Sequence, residues 1–250
     1  MKAFLLKCFC FALLILGSIF LVLTQGDGYT DAFYVRFTTP RQTSMILGSS
    51  RAAQGVVPRV LDSCLNRQGF FNFSFTIGDS PYGPTYLDAI RKKLDPDTRD
   101  AIFIVTVDPW TISNECRVGE DTAAFRELKG CLGETKNLNS RPNLQYLLSA
   151  FDKRYINLLT KNPQMYLHED GWLEVTVDMD SASVKRRIQN HAANYRSMVD
   201  EYCISDIRIG YLEQTVTFLK KHGSVFLVRL PVHRSIMDSE VLFMPDFDAK

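Results

Sequence analysis

A chain of 250 residues with an apolar fraction of 46%, including 17 Phe and 10 Tyr, can bury a sizeable core, which excludes a disordered chain. Its 29 basic against 28 acidic residues leave a formal charge of +1, so no global field directs it to nucleic acid, and no nucleic-acid partner is expected. Neither a Cys-x-x-Cys pair nor a His/Cys cluster occurs, so no metal or other cofactor is expected either.

The N-terminus reads first as a membrane segment. Lys2 is followed by an almost unbroken apolar run to Leu23, interrupted by Lys7, Gly17 and Ser18. With Lys7 snorkelling, the run approaches the length of a bilayer span. The basic residues precede the apolar core, which predicts a cytoplasmic N-terminus and an exported remainder in a single-pass protein of the cell membrane. The junction Val22-Leu-Thr-Gln-Gly-Asp27 lacks the small residues of a cleavage site, so an uncleaved signal-anchor over residues 1–24 is preferred to a cleaved signal. Export places Cys64, Cys116, Cys131 and Cys203 in an oxidising compartment, where three pairings are open. Cys116 with Cys131 is favoured because they flank one short excursion, and closing such a loop contributes about 3 kcal/mol. Free buried cysteines are the alternative.

Residues 25–43 are mixed and irregular and read as a stalk. Ser44–Leu47 has the bulk of a buried parallel strand, and Gly48-Ser49-Ser50 makes a tight exit before a helix beginning at Pro58. That helix runs to Arg67, with Val60, Leu61 and Cys64 on one face. The aromatic run from Gly69 to Phe75 reads as a second strand. A Gly/Pro-rich loop to Pro84 precedes a helix over Thr85–Leu94, and Ala101–Val107 is the strongest strand, apolar on both faces as a central parallel strand should be. Asp108-Pro-Trp110 ends it. Thr111 to Asn143 reads as an excursion over the sheet edge, Leu144–Leu159 as a helix, and Gly171–Val177 as a strand of an inserted hairpin. Long helices follow over Ser181–Tyr202 and Asp206–Lys221, and Ser224–Leu230 returns to the buried-strand pattern before Pro231-Val-His233. Strand, helix and strand in this order imply right-handed crossovers and a parallel sheet.

Four loops then converge on one sheet edge, carrying Gly48-Ser-Ser-Arg51, Asn72-Phe-Ser74, Asp108-Pro-Trp110 and Pro231-Val-His233. This set resembles the exported branch of the GDSL/SGNH hydrolase superfamily, especially the single-span proteins similar to the D-alanyl-lipoteichoic-acid transfer protein and polysaccharide O-acetyltransferases. The resemblance implies a three-layer, flavodoxin-like α/β domain over residues 44–250 with a central parallel sheet, behind one N-terminal transmembrane helix. It places the nucleophile on Ser50. Asn72-Phe-Ser74 is similar to the family's Asn-x-Gly block, with Ser74 in place of the glycine whose N–H helps hold the oxyanion. Asp108-Pro-Trp110 stands where the family has Gly-x-Asn-Asp and lacks the asparagine.

The family's C-terminal Asp-x-x-His block occurs nowhere in this chain, and the resemblance implies a domain incomplete at its C-terminus. His233 is the substitute base or pocket residue, while His168, His191 and His222 read as turn or surface positions. Arg51 faces an anionic substrate or pairs with an acid, and Trp110 and Tyr82 stack on a sugar ring or pack internally. The expected activity is an extracytoplasmic serine esterase or O-acyltransferase acting on an acylated cell-envelope glycan or a small acyl ester. The alternative is a catalytically inactive, membrane-anchored binding or scaffold protein of the same fold.

Overall fold

The computed structural model describes residues 1–161 and 163–249. It opens with helix α1 (Lys2–Leu23), which has a mean hydropathy of 2.6 over its most apolar window and is long and apolar enough to cross a membrane. Only its last residue, Leu23, is buried against the rest of the chain. A short helix α2 (Tyr34–Thr38) follows, and every residue of it is buried. The stalk expected over residues 25–43 is therefore corrected. Tyr34 and Phe37 belong to the main core, and the buried Arg36 donates to the carbonyls of Ala32, Asn72 and Gly171, so the segment is stitched into the domain.

Strand β1 (Ser44–Leu47) leads into helix α3 (Ser50–Gly55) and then helix α4 (Pro58–Leu65), with Pro58 in the first turn and Asn66 ending it in the left-handed region. Strand β2 (Phe70–Asn72), helix α5 (Pro84–Lys93) and strand β3 (Ala101–Thr106) come next. Strand β4 (Ser113–Glu115), helix α6 (Cys131–Glu134) and helix α7 (Leu144–Ser149) occupy the excursion and its exit. The helix expected over Leu144–Leu159 stops at Ser149; a separate 3-10 turn spans Tyr155–Leu158. Strands β5 (Met165–Leu167) and β6 (Leu173–Val175) form the anticipated hairpin. Helix α8 (Ser181–Glu201), strand β7 (Tyr202–Ile204), helix α9 (Asp206–Leu219), strand β8 (Gly223–Val228) and helix α10 (Arg234–Phe243) complete the order.

The architecture is α/β. Its four-stranded sheet runs β2-β1-β3-β8, and every pairing is parallel, with Ser44 opposite Phe70, Met45 opposite Phe103 and Ala101 opposite Gly223. Alternate strand residues face opposite sides. Met45, Leu47, Phe71, Phe103 and Val105 join Tyr86 and Ile90 of α5 and Leu219 of α9 on one face. Ile46 and Phe70 join Ala52 of α3 on the other, with Leu61 of α4 packed against them. Helices thus cover both faces.

Two expectations about the sheet and its bridges are corrected. The buried strand expected over Ser224–Leu230 is instead the edge strand β8, with Phe226 and Leu227 more than half exposed. The disulfide joins Cys116 to Cys203, not to Cys131. β4 and β7 pair antiparallel with Asn114 opposite Cys203, which brings the two sulfurs together. Cys131 is buried as a free thiol, and burial together with nearby Asp79 and Asp31 pushes its titration well up, so it stays protonated.

Candidate functional site

Parallel strands deliver all four of the expected loops to one edge. β1 sits between β2 and β3, so the chain leaves β1 to one side, returns, and then passes to the other; the crevice between the exits of β1 and β3 is the point where the crossover direction reverses. Gly48 makes this crevice narrow. Its φ is +145°, and a Cβ there would collide with Thr106 Oγ1 of β3.

The serines around this exit differ sharply. Ser49 is fully buried, and its Oγ donates to Asp108 Oδ2 at 3.4 Å. Ser80 is fully buried, and its Oγ donates to the Gly48 carbonyl at 2.7 Å. Ser74 is fully buried, and its Oγ donates to the Ile46 carbonyl at 3.2 Å. Ser50, the first residue of α3, is half-buried, and among the described residues its hydroxyl has no hydrogen-bond partner. The N–H groups of Ser50 and Arg51 likewise have no acceptor there, as expected for a first helical turn.

Beside Ser50 lies an enclosed ionic cluster. Arg51 Nη1 stands 2.6 Å from Glu240 Oε1 and 3.4 Å from Asp108 Oδ2. Glu240 also accepts from Trp110 Nε1 at 3.1 Å, and its other oxygen meets Arg229 Nη2 at 2.8 Å. Arg229 reaches Asp248 as well. The Arg51 guanidinium carbon lies 5.2 Å from the centroid of the Tyr195 ring of α8, a cation–π arrangement. Burial raises the Asp108 carboxyl above its usual range, with Arg51 opposing and Glu240 reinforcing the rise. Burial works against the Arg51 charge too, but Asp108, Tyr195 and Glu240 together hold that guanidinium above its ordinary value. The cluster ties the exits of β1, β3 and β8 to α10.

Several of the expected site residues are structural. Asn72 Nδ2 donates to the carbonyls of Ala52 and Val56, closing the end of α3, and its Oδ1 accepts from the Ser74 N–H at 3.2 Å. That corrects the oxyanion role expected of Ser74, whose amide is already engaged. Asp108 accepts from the N–H groups of Trp110 and Thr111 and so caps the 3-10 turn Pro109–Ile112. Trp110 is buried and stacked on Phe243 at 4.7 Å, and Tyr82 is buried with its hydroxyl on the Thr106 carbonyl, so neither is a sugar platform. His233 is exposed and caps α10, its Nδ1 facing both the N–H and the hydroxyl of Ser235.

Reading the residues in order misses three members of the neighbourhood, Glu240, Arg229 and Tyr195. None belongs to a motif: Glu240 and Tyr195 meet Arg51 only because α10 and α8 pack at the β1 exit, and Arg229 joins through Glu240. His191 is exposed on α8, as expected from the sequence, one helical turn or about 6 Å along the axis before Tyr195. His168 pairs with Glu174 on the hairpin, and His222 faces the Thr98 carbonyl.

Among the described residues no group of three or more His, Cys, Asp and Glu side chains is placed to hold a metal ion. The chain matches no family model, no curated protein and no solved structure.

Proposed function

We propose that this chain is a membrane-tethered serine esterase or O-acyltransferase of SGNH type, its α/β domain facing outward and acting on an acylated cell-envelope glycan or similar polymer. One observation carries the reading: at the crossover-reversal point, where ligands of open α/β sheets bind, Ser50 has a hydroxyl and two adjacent amides with no hydrogen-bond partner among the described residues. In this reading Ser50 Oγ attacks the ester carbonyl, and its proton passes to an imidazole. The N–H groups of Ser50 and Arg51 hold the tetrahedral oxyanion, each contributing about 3 kcal/mol to lowering the barrier. The carbonyl–oxygen bond to the leaving alcohol then breaks as the imidazole returns the proton, and water or an acceptor hydroxyl attacks the acyl-serine in turn. The resemblance to a fold with a 2-1-3-4 strand order is consistent with β2-β1-β3-β8.

In this reading His191 is taken as the imidazole: it is exposed on α8, one turn before the Tyr195 ring that covers Arg51, and among the described residues no hydrogen bond joins it to Ser50. Turnover of a small acyl ester tests both assignments. Ser50→Ala abolishes turnover, His191→Ala lowers kcat by about a hundredfold or more, and His233→Ala leaves it nearly unchanged. Unchanged turnover in Ser50→Ala removes the enzyme reading.

A second reading, a catalytically silent binding protein at the membrane, is favoured by one specific observation. No imidazole is hydrogen-bonded to Ser50 among the described residues, and the Ser74 amide that the resemblance assigns to the oxyanion is taken by Asn72.

A further inference from the structure

The outer end of α1 does not project free from the domain. Ser18, Ile19, Val22 and Leu23 line an apolar cleft together with Leu148 and Tyr155, and Leu23 is buried in the main core. The Tyr155 hydroxyl is anchored on the Leu147 carbonyl, so the ring is fixed beside α1. From Ser18 to Leu23 the helix rises about 7 Å, and Leu148 and Tyr155 therefore stand at the level of its last turn and a half.

That placement makes the neighbouring surface unusual. Leu148 is 69% exposed, Ile156 57% and Leu159 54%, a cluster too apolar to be explained as scattered surface residues. Lys153, Arg154 and Lys161 border it, against a single acid, Asp152, in residues 144–161. Lys153 lies 3.6 Å from Asp152, Lys161 packs on the Tyr29 ring, and Arg154 has no ion-pair partner among the described residues. An apolar ridge with an aromatic ring and a basic border, level with the end of a membrane-spanning helix, matches the chemistry of the headgroup and upper acyl layer of a bilayer.

We propose that the surface formed by residues 144–161 is a membrane foot. It seats the domain on the leaflet from which α1 emerges, with Leu148, Ile156 and Leu159 in the interfacial layer and Lys153, Arg154 and Lys161 on anionic headgroups. The proposal rests on α1 spanning the membrane. It does not depend on the chemistry at Ser50.

The test uses the full chain reconstituted in phosphatidylcholine/phosphatidylglycerol vesicles, with single tryptophans added at Ile156→Trp and Leu159→Trp over the native Trp110 and Trp172. Val60→Trp is the control, since Val60 is 53% exposed and α4 packs on the sheet face opposite to the cluster that holds Leu23. Phosphatidylcholine brominated on its acyl chains quenches the added fluorescence at 156 and 159 at least about twofold more than at 60, as interfacial burial requires. Lys153→Glu with Arg154→Glu reduces the quenching at 156 when phosphatidylglycerol is present. Equal quenching at 156, 159 and 60 overturns the foot, as does shielding of 156 from aqueous acrylamide without lipid quenching, which indicates a protein cover such as a second copy. A carbonate wash separates the two premises. Retention of the chain keeps the span while the quenching decides the foot, and release of the chain overturns both.

Discussion

Glu240 is enclosed between two guanidinium groups and an indole N–H, and it is the residue on which the ionic cluster converges. Removing such a carboxylate leaves Arg51 and Arg229 charged with one partner fewer, Arg51 in a largely buried setting. Breaking a buried pair from one side typically costs about 3–5 kcal/mol, far more than the net worth of the intact pair. Glu240→Ala is therefore expected to lower the unfolding free energy by about that amount in urea titrations, and Glu240→Gln, which keeps the acceptor oxygen, by less. A loss below about 1 kcal/mol for the alanine variant would show that water reaches these groups and that the cluster is not enclosed. The same cluster sets a limit on Asp108. Its Oδ1 accepts two backbone N–H bonds and its Oδ2 faces Ser49 and Arg51, so it shapes the crevice without being free to move a proton to Ser50.

Among the elements, the one with the largest consequence for stability is the pairing of β4 with β7. Cys116 and Cys203 are 87 residues apart in sequence, and cross-linking a loop of that length removes chain entropy worth about 4–5 kcal/mol. Reduction, or Cys116→Ala with Cys203→Ala, should lower stability by several kcal/mol, while Cys64→Ala leaves it nearly unchanged because Cys64 is exposed and unpaired. A free thiol at position 203 in the oxidised protein would contradict the pairing. This bridge was not legible in the sequence, since proximity along the chain favours Cys116 with Cys131, and only the antiparallel pairing of two three-residue strands brings Cys203 to Cys116. Strongly patterned elements were legible. β1 and β3 announce themselves as short apolar runs bounded by turn residues, and α8 and α9 by their length. The segment read as a stalk holds one short apolar run, Ala32–Phe37, broken by Arg36 and flanked by Gly and Pro. Tyr34, Val35 and Phe37 bury through contacts with Tyr146, Leu167 and Phe75 that no local pattern encodes. β8 was misread because its apolar run looks the same whether the strand is central or at an edge.

At the scale of the whole molecule, the parallel sheet was implied by the alternation of strands and helices, and with it the convergence of four loops on one edge. The composition of the site was only half legible. Ser50 and Arg51 sit next to each other in a recognisable turn, but the partners that hold Arg51 come from α8, α10 and the exit of β3, elements that meet it only after folding. What the whole molecule then presents is a domain tied to an apolar helix at one end and, between two strand exits, a half-buried serine whose hydroxyl has no hydrogen-bond partner among the described residues. The most direct test of that account is labelling of the full chain with a fluorophosphonate probe, followed by mass spectrometry of the modified peptide. The account predicts a single adduct on Ser50, absent in Ser50→Ala and slowed in His191→Ala; no adduct at Ser50, or an adduct on another serine, would contradict it.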